Sequence, residues 1–356
     1  MDRAWTKARL AVVDYRSPMP DARPDGIRED RRDAIRVGVI GAMHPAEINP
    51  LMATLGPRMR LSCVHEPVAL MAARVSEEAG VPAVGSLTKL ATRRGMQAAI
   101  VHQTGGPLSV GLHACRPLLK ADLPTLWLPD AFDAGAIVPG LSSGGLRRND
   151  SGDTPRMDPA VAEVWRDVAR LDDANLLCPA LTHRFDGATL RLRELVAGSL
   201  GPVLAVEAAI HDLGDREVRQ EHAMVARALD WARWIGYPRL ERINDETAGK
   251  TWRMSSAAGP AATVTVVAAP KDARDEIEYD ASHQIRRHIN CERGEAIVDG
   301  GGLRWRPADG DAWTEVDLSE ERPALAVIAD LFARRVIGGL VPTPSVDDVL
   351  AVEAVL

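Results

Sequence analysis

Apolar positions change rhythm along the chain, and the change divides it. From Ile35 to about Asp130, short apolar runs alternate with stretches whose apolar residues recur three and four apart, as in strands and amphipathic helices wound into βαβ units around a parallel sheet. Ile35-Arg-Val-Gly-Val-Ile40 reads as the first strand, Arg60 to Glu66 as the second, Gln97 to His102 as a later one and Leu123 to Leu128 as the next. Ile48, Leu51, Met52 and Leu55 share one helical face, and Pro107 to Lys120 predicts another helix. From about Pro202 the period shifts towards two, in Val203 to Ile210, Ala262 to Ala268 and Gly294 to Asp299. That predicts a second, mostly antiparallel sheet, with helices around Met224 to Trp234 and Ala324 to Val336 packed beside it.

Two stretches carry no period. Residues 1–34 end in a charge-dense run from Pro20 to Arg32 and read as a flexible N-terminal arm. Residues 131–157 are rich in turn formers and read as a loop insertion, a length typical of lids or of disorder. A helix follows, with Val161, Val164, Trp165 and Val168 on one side. The expected organisation is thus an arm (1–34), a Rossmann-type domain (35–130), a loop insertion (131–157) and a C-terminal α/β domain with an open, mostly antiparallel sheet (158–356).

Composition narrows the function classes. A chain of 356 residues with 43 basic and 50 acidic side chains has a net charge of −7, which argues against a nucleic-acid surface. The N-terminus has no apolar run suited to a signal peptide or a membrane span, so the expected setting is cytoplasmic. Cys63, Cys115, Cys178 and Cys291 lie far apart. They form neither a CxxC pair nor a zinc-like cluster, and reduced, buried thiols with no metal are expected.

The chemistry-bearing stretch is the turn after the first strand. A dinucleotide fold wants Gly at the first position of that turn and a second Gly two residues on, where backbone touches the pyrophosphate. Gly41 fills the first place and Ala46 the third, but Met43 stands where the second Gly belongs. His44 opens the following helix, where it would either contact a phosphate or fill the phosphate's place. Glu66 ends the second strand, where an acidic side chain accepts hydrogen bonds from the adenosine ribose; the alternative is a solvated strand-end carboxylate. Thr104 is counted with Gly41, Met43, His44, Ala46 and Glu66 among the cofactor-binding positions.

These features, with Glu77-Glu-Ala-Gly-Val-Pro-Ala83, His183-Arg-Phe-Asp-Gly-Ala188, Glu194 to Val203 and Leu229-Asp-Trp-Ala-Arg-Trp-Ile-Gly236, resemble the family of glucose-fructose oxidoreductase, inositol dehydrogenase and MocA. The resemblance covers most of the chain beyond Ile35. It implies an N-terminal Rossmann domain, a C-terminal α/β domain that carries substrate and often makes a dimer, and NAD or NADP as cofactor, with Glu66 favouring NAD. The implied partner is a small-molecule substrate (a sugar, cyclitol or related compound), with a homo-oligomer through the C-terminal sheet.

The chain departs from that pattern where the chemistry should be. The family's Glu-Lys-Pro aligns with Leu128-Pro129-Asp130, and the only lysines are Lys7, Lys89, Lys120, Lys250 and Lys271, none of them ending a strand at the expected crevice. In the family's Asp-x-x-x-His-x-x-Asp segment, Asp230 matches the final Asp, while Arg227 replaces the His and Ala223 the first Asp. Losing a positioned acid or base costs on the order of a hundred- to ten-thousandfold in rate. Substitutes for catalysis are Asp130, Asp230, and His211 or His222, the two histidines lying near Asp212 and Asp215 after a predicted strand; a polar surface loop is the other reading of that stretch. His183 and Arg184 either bind an anionic group or serve a structural role, capping or hydrogen bonding between domains, and Trp165, Trp231, Trp234 and Trp252 read as core. Two functions follow: an oxidoreductase with a degenerate active site, or a non-catalytic binding or partner subunit on the same scaffold. Met43 separates them.

Overall fold

In the computed structural model of the protein, the described residues are 34–41, 44–102, 108–128, 159–172, 174–210, 218–235, 239–243, 250–256, 259–268, 285–299 and 302–354. They build two sheets. The first has five parallel strands, β1 (Ile35–Ile40), β2 (Met59–His65), β3 (Ala98–His102), β4 (Thr125–Leu128) and β5 (Leu177–Pro179), in the order β2-β1-β3-β4-β5. Outside β2 the chain adds a single parallel bridge between Val64 and Ala83. There Val64 N–H donates to the Pro82 carbonyl at 3.1 Å and Val84 N–H to the Val64 carbonyl at 2.8 Å. Counted as a strand, this remnant gives the six-position doubly wound order whose direction reverses between β1 and β3, the place where such sheets bind ligands.

Alternation along β1 sorts its side chains to two covered faces, as a buried parallel sheet requires. Ile35, Val37 and Val39 pack with Ile48 and Leu55 of α1 (Ile48–Leu55) and with Ile328 and Phe332 of α8 (Ala324–Val336). Ile40 points to the other face, with Leu112 and Cys115 of α4 (Leu108–Leu119), Trp165 of α5 (Pro159–Leu171) and Val349 of α9 (Val346–Glu353). Trp127 and Trp165 meet edge to face there, ring centroids 5.3 Å apart. The expected position of the 324–336 helix, beside the second sheet, is corrected: α8 covers the first. Periodicity showed that a buried stripe exists but not which sheet it meets. The short β5, also unforeseen, is anchored by buried Asp172, whose Oδ1 accepts from the Leu176 and Leu177 amides.

The second sheet has eight strands in the order β13-β12-β11-β10-β6-β9-β8-β7, formed by β6 (Val203–Ile210), β7 (Arg239–Ile243), β8 (Lys250–Ser256), β9 (Gly259–Ala268), β10 (Ile285–Cys291), β11 (Gly294–Asp299), β12 (Gly302–Pro307) and β13 (Thr314–Glu315). Only β6 and β9 pair in parallel; the other neighbours are antiparallel. Helices α6 (Gly187–Leu195) and α7 (Val218–Ile235) lay Leu192, Leu229 and Trp231 on Val206, Ala208 and Ile289. On the opposite face His288 bonds Glu295, which also pairs with Arg306. This is the expected α/β architecture.

All four cysteines are buried and free. Burial pushes the Cys178 and Cys291 thiols up to about 12, so they are unreactive at neutral pH. No helix among the described residues is long and apolar enough to cross a membrane.

Candidate functional site

The carboxyl ends of β1, β2 and β3 meet at Gly41. Its N–H donates to the His65 carbonyl at 3.2 Å, and its φ of +140° is one that L side chains rarely adopt. A Cβ there would stand 1.7 Å from the His102 carbonyl oxygen. Only Gly lets the backbone turn this close to the neighbouring strand, which fixes the floor of the crevice at the β1/β3 reversal.

Beyond the turn, Pro45–Glu47 form one 3-10 turn that leads into α1. His44 caps it: Ala46 N–H donates to His44 Nδ1 at 3.4 Å, and His44 N–H donates to Glu47 Oε2 at 3.1 Å. This reciprocal cap satisfies two donors of the kind a phosphate would otherwise take. It also places the Glu47 carboxylate at the entrance to α1. The cap is a role outside the two expected for His44, contact with a phosphate or filling of the phosphate's place.

Glu66 follows β2 directly and is only 6% exposed. Val68 N–H donates to its Oε1 at 3.2 Å, while its Oε2 is buried without a hydrogen-bond partner. A buried carboxylate oxygen with no donor is costly, and a ligand hydroxyl is a natural way to satisfy it. The crevice therefore fits the ribose of a dinucleotide at the Glu66 end. At the diphosphate end the His44 amide is taken by Glu47, and residues 42–43 of the turn lie outside the described residues.

Asp230 lies on α7 and is buried. Arg184 grips both of its oxygens, with Nε donating to Oδ2 at 2.7 Å and Nη2 bonding Oδ1. His183 Nε2 adds a third contact at 2.6 Å, and because a carboxylate only accepts, neutral His183 carries its proton on Nε2. Burial alone would raise the Asp230 pKa, but the Arg184 charge and these bonds hold it well below the usual carboxylate range. Burial likewise pushes His183 down to about 4, against the pull of Asp230. Arg184 reaches on to Asp348 of α9 at 3.3 Å and stacks on Trp234, 5.2 Å from the ring centroid. Of the alternatives for His183 and Arg184, bonding between elements is what the structure shows.

Gly41, His44, Ala46 and Glu66 thus gather at the first sheet, and Asp230 sits at the junction formed by His183, Arg184 and α7. Met43, Thr104, Asp130 and His211 fall outside the described residues, as does the side chain of His222, whose backbone lies in α7. Trp165 and Trp231 are fully buried, as expected of core. Sequence reasoning missed Arg287. Its signal was present in β10, where Ile285, Arg287, Ile289 and Cys291 alternate inward and put a guanidinium on the core face.

No protein-family model and no curated protein matches the sequence. Solved structures do match in fold. UDP-N-acetylglucosamine 3-dehydrogenase GnnA from Acidithiobacillus ferrooxidans is 19% identical with a TM-score of 0.58, over 90% of this chain and 95% of that one. An oxidoreductase from Agrobacterium radiobacter in complex with NAD+, L-tartaric acid and magnesium gives 14% and 0.58, over 90% and 94%. Biliverdin reductase from Synechocystis sp. PCC 6803, with biliverdin and NADP+, gives 11% and 0.54, over 90% and 96%. At such identities the likeness is one of fold, and it extends over both sheets: the chain has the two-domain architecture of these oxidoreductases.

Proposed function

We propose that this protein is a divergent Gfo/Idh/MocA-type oxidoreductase that binds NAD in preference to NADP and acts on a sugar, cyclitol or related small molecule without the family's lysine and histidine. The observation that carries this reading is the buried, half-satisfied Glu66 at the carboxyl end of β2, beside a Gly41 turn too tight for any side chain. Glu66 would accept from the ribose hydroxyls and oppose a 2′-phosphate, the basis of the NAD preference.

A bound nicotinamide would supply the hydride acceptor or donor. Glu66 would hold the nucleoside, Gly41 would let the backbone approach it, and movement of Glu47 away from His44 would free an amide for the diphosphate. Asp230 is a positioning residue in this account, because a carboxylate shared by Arg184 and His183 is too weak a base to take a proton near neutrality. Proton handling falls to Asp130, His211 or His222, the other positions the sequence offers.

A second reading, a non-catalytic binding subunit, draws on the same Asp230 commitment and on the carboxylate of Glu47 at the diphosphate end. Thermal unfolding with NAD and with NADP tests the first reading. At a hundred times its dissociation constant a nucleotide adds roughly 2.7 kcal/mol, so NAD is expected to raise the melting temperature clearly and NADP less. No rise with either at millimolar concentration would remove the dinucleotide and leave the binding-subunit reading.

A further inference from the structure

We infer that Arg227 on α7 and Arg287 on β10 form an oxyanion-binding subsite for the carboxylate or phosphate of a small ligand. Arg227 stands four residues before Trp231 on α7, and Arg287 stacks on that ring, so the two guanidiniums face one another's surroundings. The Nε atoms of Arg227 and Arg287 are buried with no hydrogen-bond partner, and Arg287 as a whole is only 6% exposed. The carboxylate whose charge acts on both is Asp186, one negative charge for two positive ones, and its hydrogen bonds go elsewhere. Its Oδ1 accepts from Thr189 N–H at 2.7 Å and its Oδ2 from the Thr189 hydroxyl at 2.9 Å, capping α6.

Two neighbouring guanidiniums, one buried and one half-buried, that share a single carboxylate leave an excess of positive charge, an arrangement that folding alone does not favour. Burial pushes Arg287 down to about 9, with the neighbouring Arg227 charge adding to the effect, so it remains cationic at neutral pH. Arg287 is also held in place. Arg287 stacks on Trp231, its Cζ 4.8 Å from the ring centroid, and Trp231 Nε1 donates to Thr189 Oγ1 at 2.8 Å. A planar guanidinium fixed on an aromatic face suits the paired acceptor oxygens of a carboxylate or phosphate. Arg184, two residues before Asp186, shows the contrast: it is buried as well but already holds Asp230 and Asp348.

The subsite does not depend on nucleotide binding, so it is tested without nicotinamide cofactors. The full chain is melted at constant ionic strength with sodium sulfate, D-glucuronate or D-glucose 6-phosphate, and with D-glucose as the neutral control. At least one oxyanion at millimolar concentration is expected to raise the melting temperature while glucose does not; glucuronate against the phosphate ester tells which head group is preferred. In Arg227→Gln and Arg287→Met the affinity for that oxyanion falls roughly tenfold or more. The unliganded variants are expected to melt at or above the parent, because each relieves like-charge repulsion. Three results would overturn the inference: no oxyanion stabilises beyond glucose, the stabilisation persists in both variants, or both unliganded variants melt well below the parent, which would make the arginines structural. Should Arg287→Met fail to fold, the half-buried Arg227 carries the test alone.

Discussion

Asp230→Asn is expected to destabilise the fold by about 3 kcal/mol or more. The substitution keeps the shape of the side chain but removes the charge that Arg184 and His183 surround in a buried site. Asp348, at 3.3 Å from Arg184, softens the loss without replacing a two-point grip. Denaturant unfolding of parent and variant measures the difference; a variant within about 1 kcal/mol of the parent would show that the junction is not held by this ion pair.

The same junction sets a pH dependence. His183 has its pKa lowered from 6.5 to about 4, so between those values the unfolded chain binds a proton that the folded chain refuses. Stability is therefore complete above 6.5 and falls as the pH drops towards 4, by roughly 3 kcal/mol. Asp230, whose pKa is depressed, adds stability that is present above the ordinary carboxylate range and lost only in stronger acid. His183→Gln should flatten the first of these slopes while leaving the second.

Gly41→Ala is the second large effect, about 3 kcal/mol or more. A single methyl would have to occupy a point 1.7 Å from the His102 carbonyl oxygen, at a φ of +140°. Neither β1 nor β3 can yield easily: both are buried in the sheet, with Val39 paired to Ile100 and Ile40 to Val101. Thermal or urea unfolding gives the cost directly. A variant that melts with the parent would mean that the crevice floor is looser than its geometry indicates.

Much of this was legible in the sequence, and the reasons are physical. β1 was readable as a short apolar run leading into a glycine turn, β6 and β11 as apolar stretches whose period tends towards two, and α8 because its stripe repeats at helical spacing. β5 escaped because three residues carry no period, its place being set by Asp172 bonding back to the chain. At the candidate site, the places of Gly41 and Glu66 were visible because both follow a strand end directly. The coupling of Asp230 to His183 and Arg184 was not, since it joins residues nearly fifty apart through a contact that only the packing of α7 creates. The cap made by His44 and Glu47 was written in the spacing of the two residues, three apart at the start of a helical turn.

The central claim is that Glu66 holds a dinucleotide at the β1/β3 reversal. Calorimetric titration of NAD into the parent protein and into Glu66→Ala tests it most directly. Saturable binding to the parent is expected, weakened roughly ten- to a hundredfold in the variant. Equal affinity in the two proteins, or no binding to the parent, would contradict it.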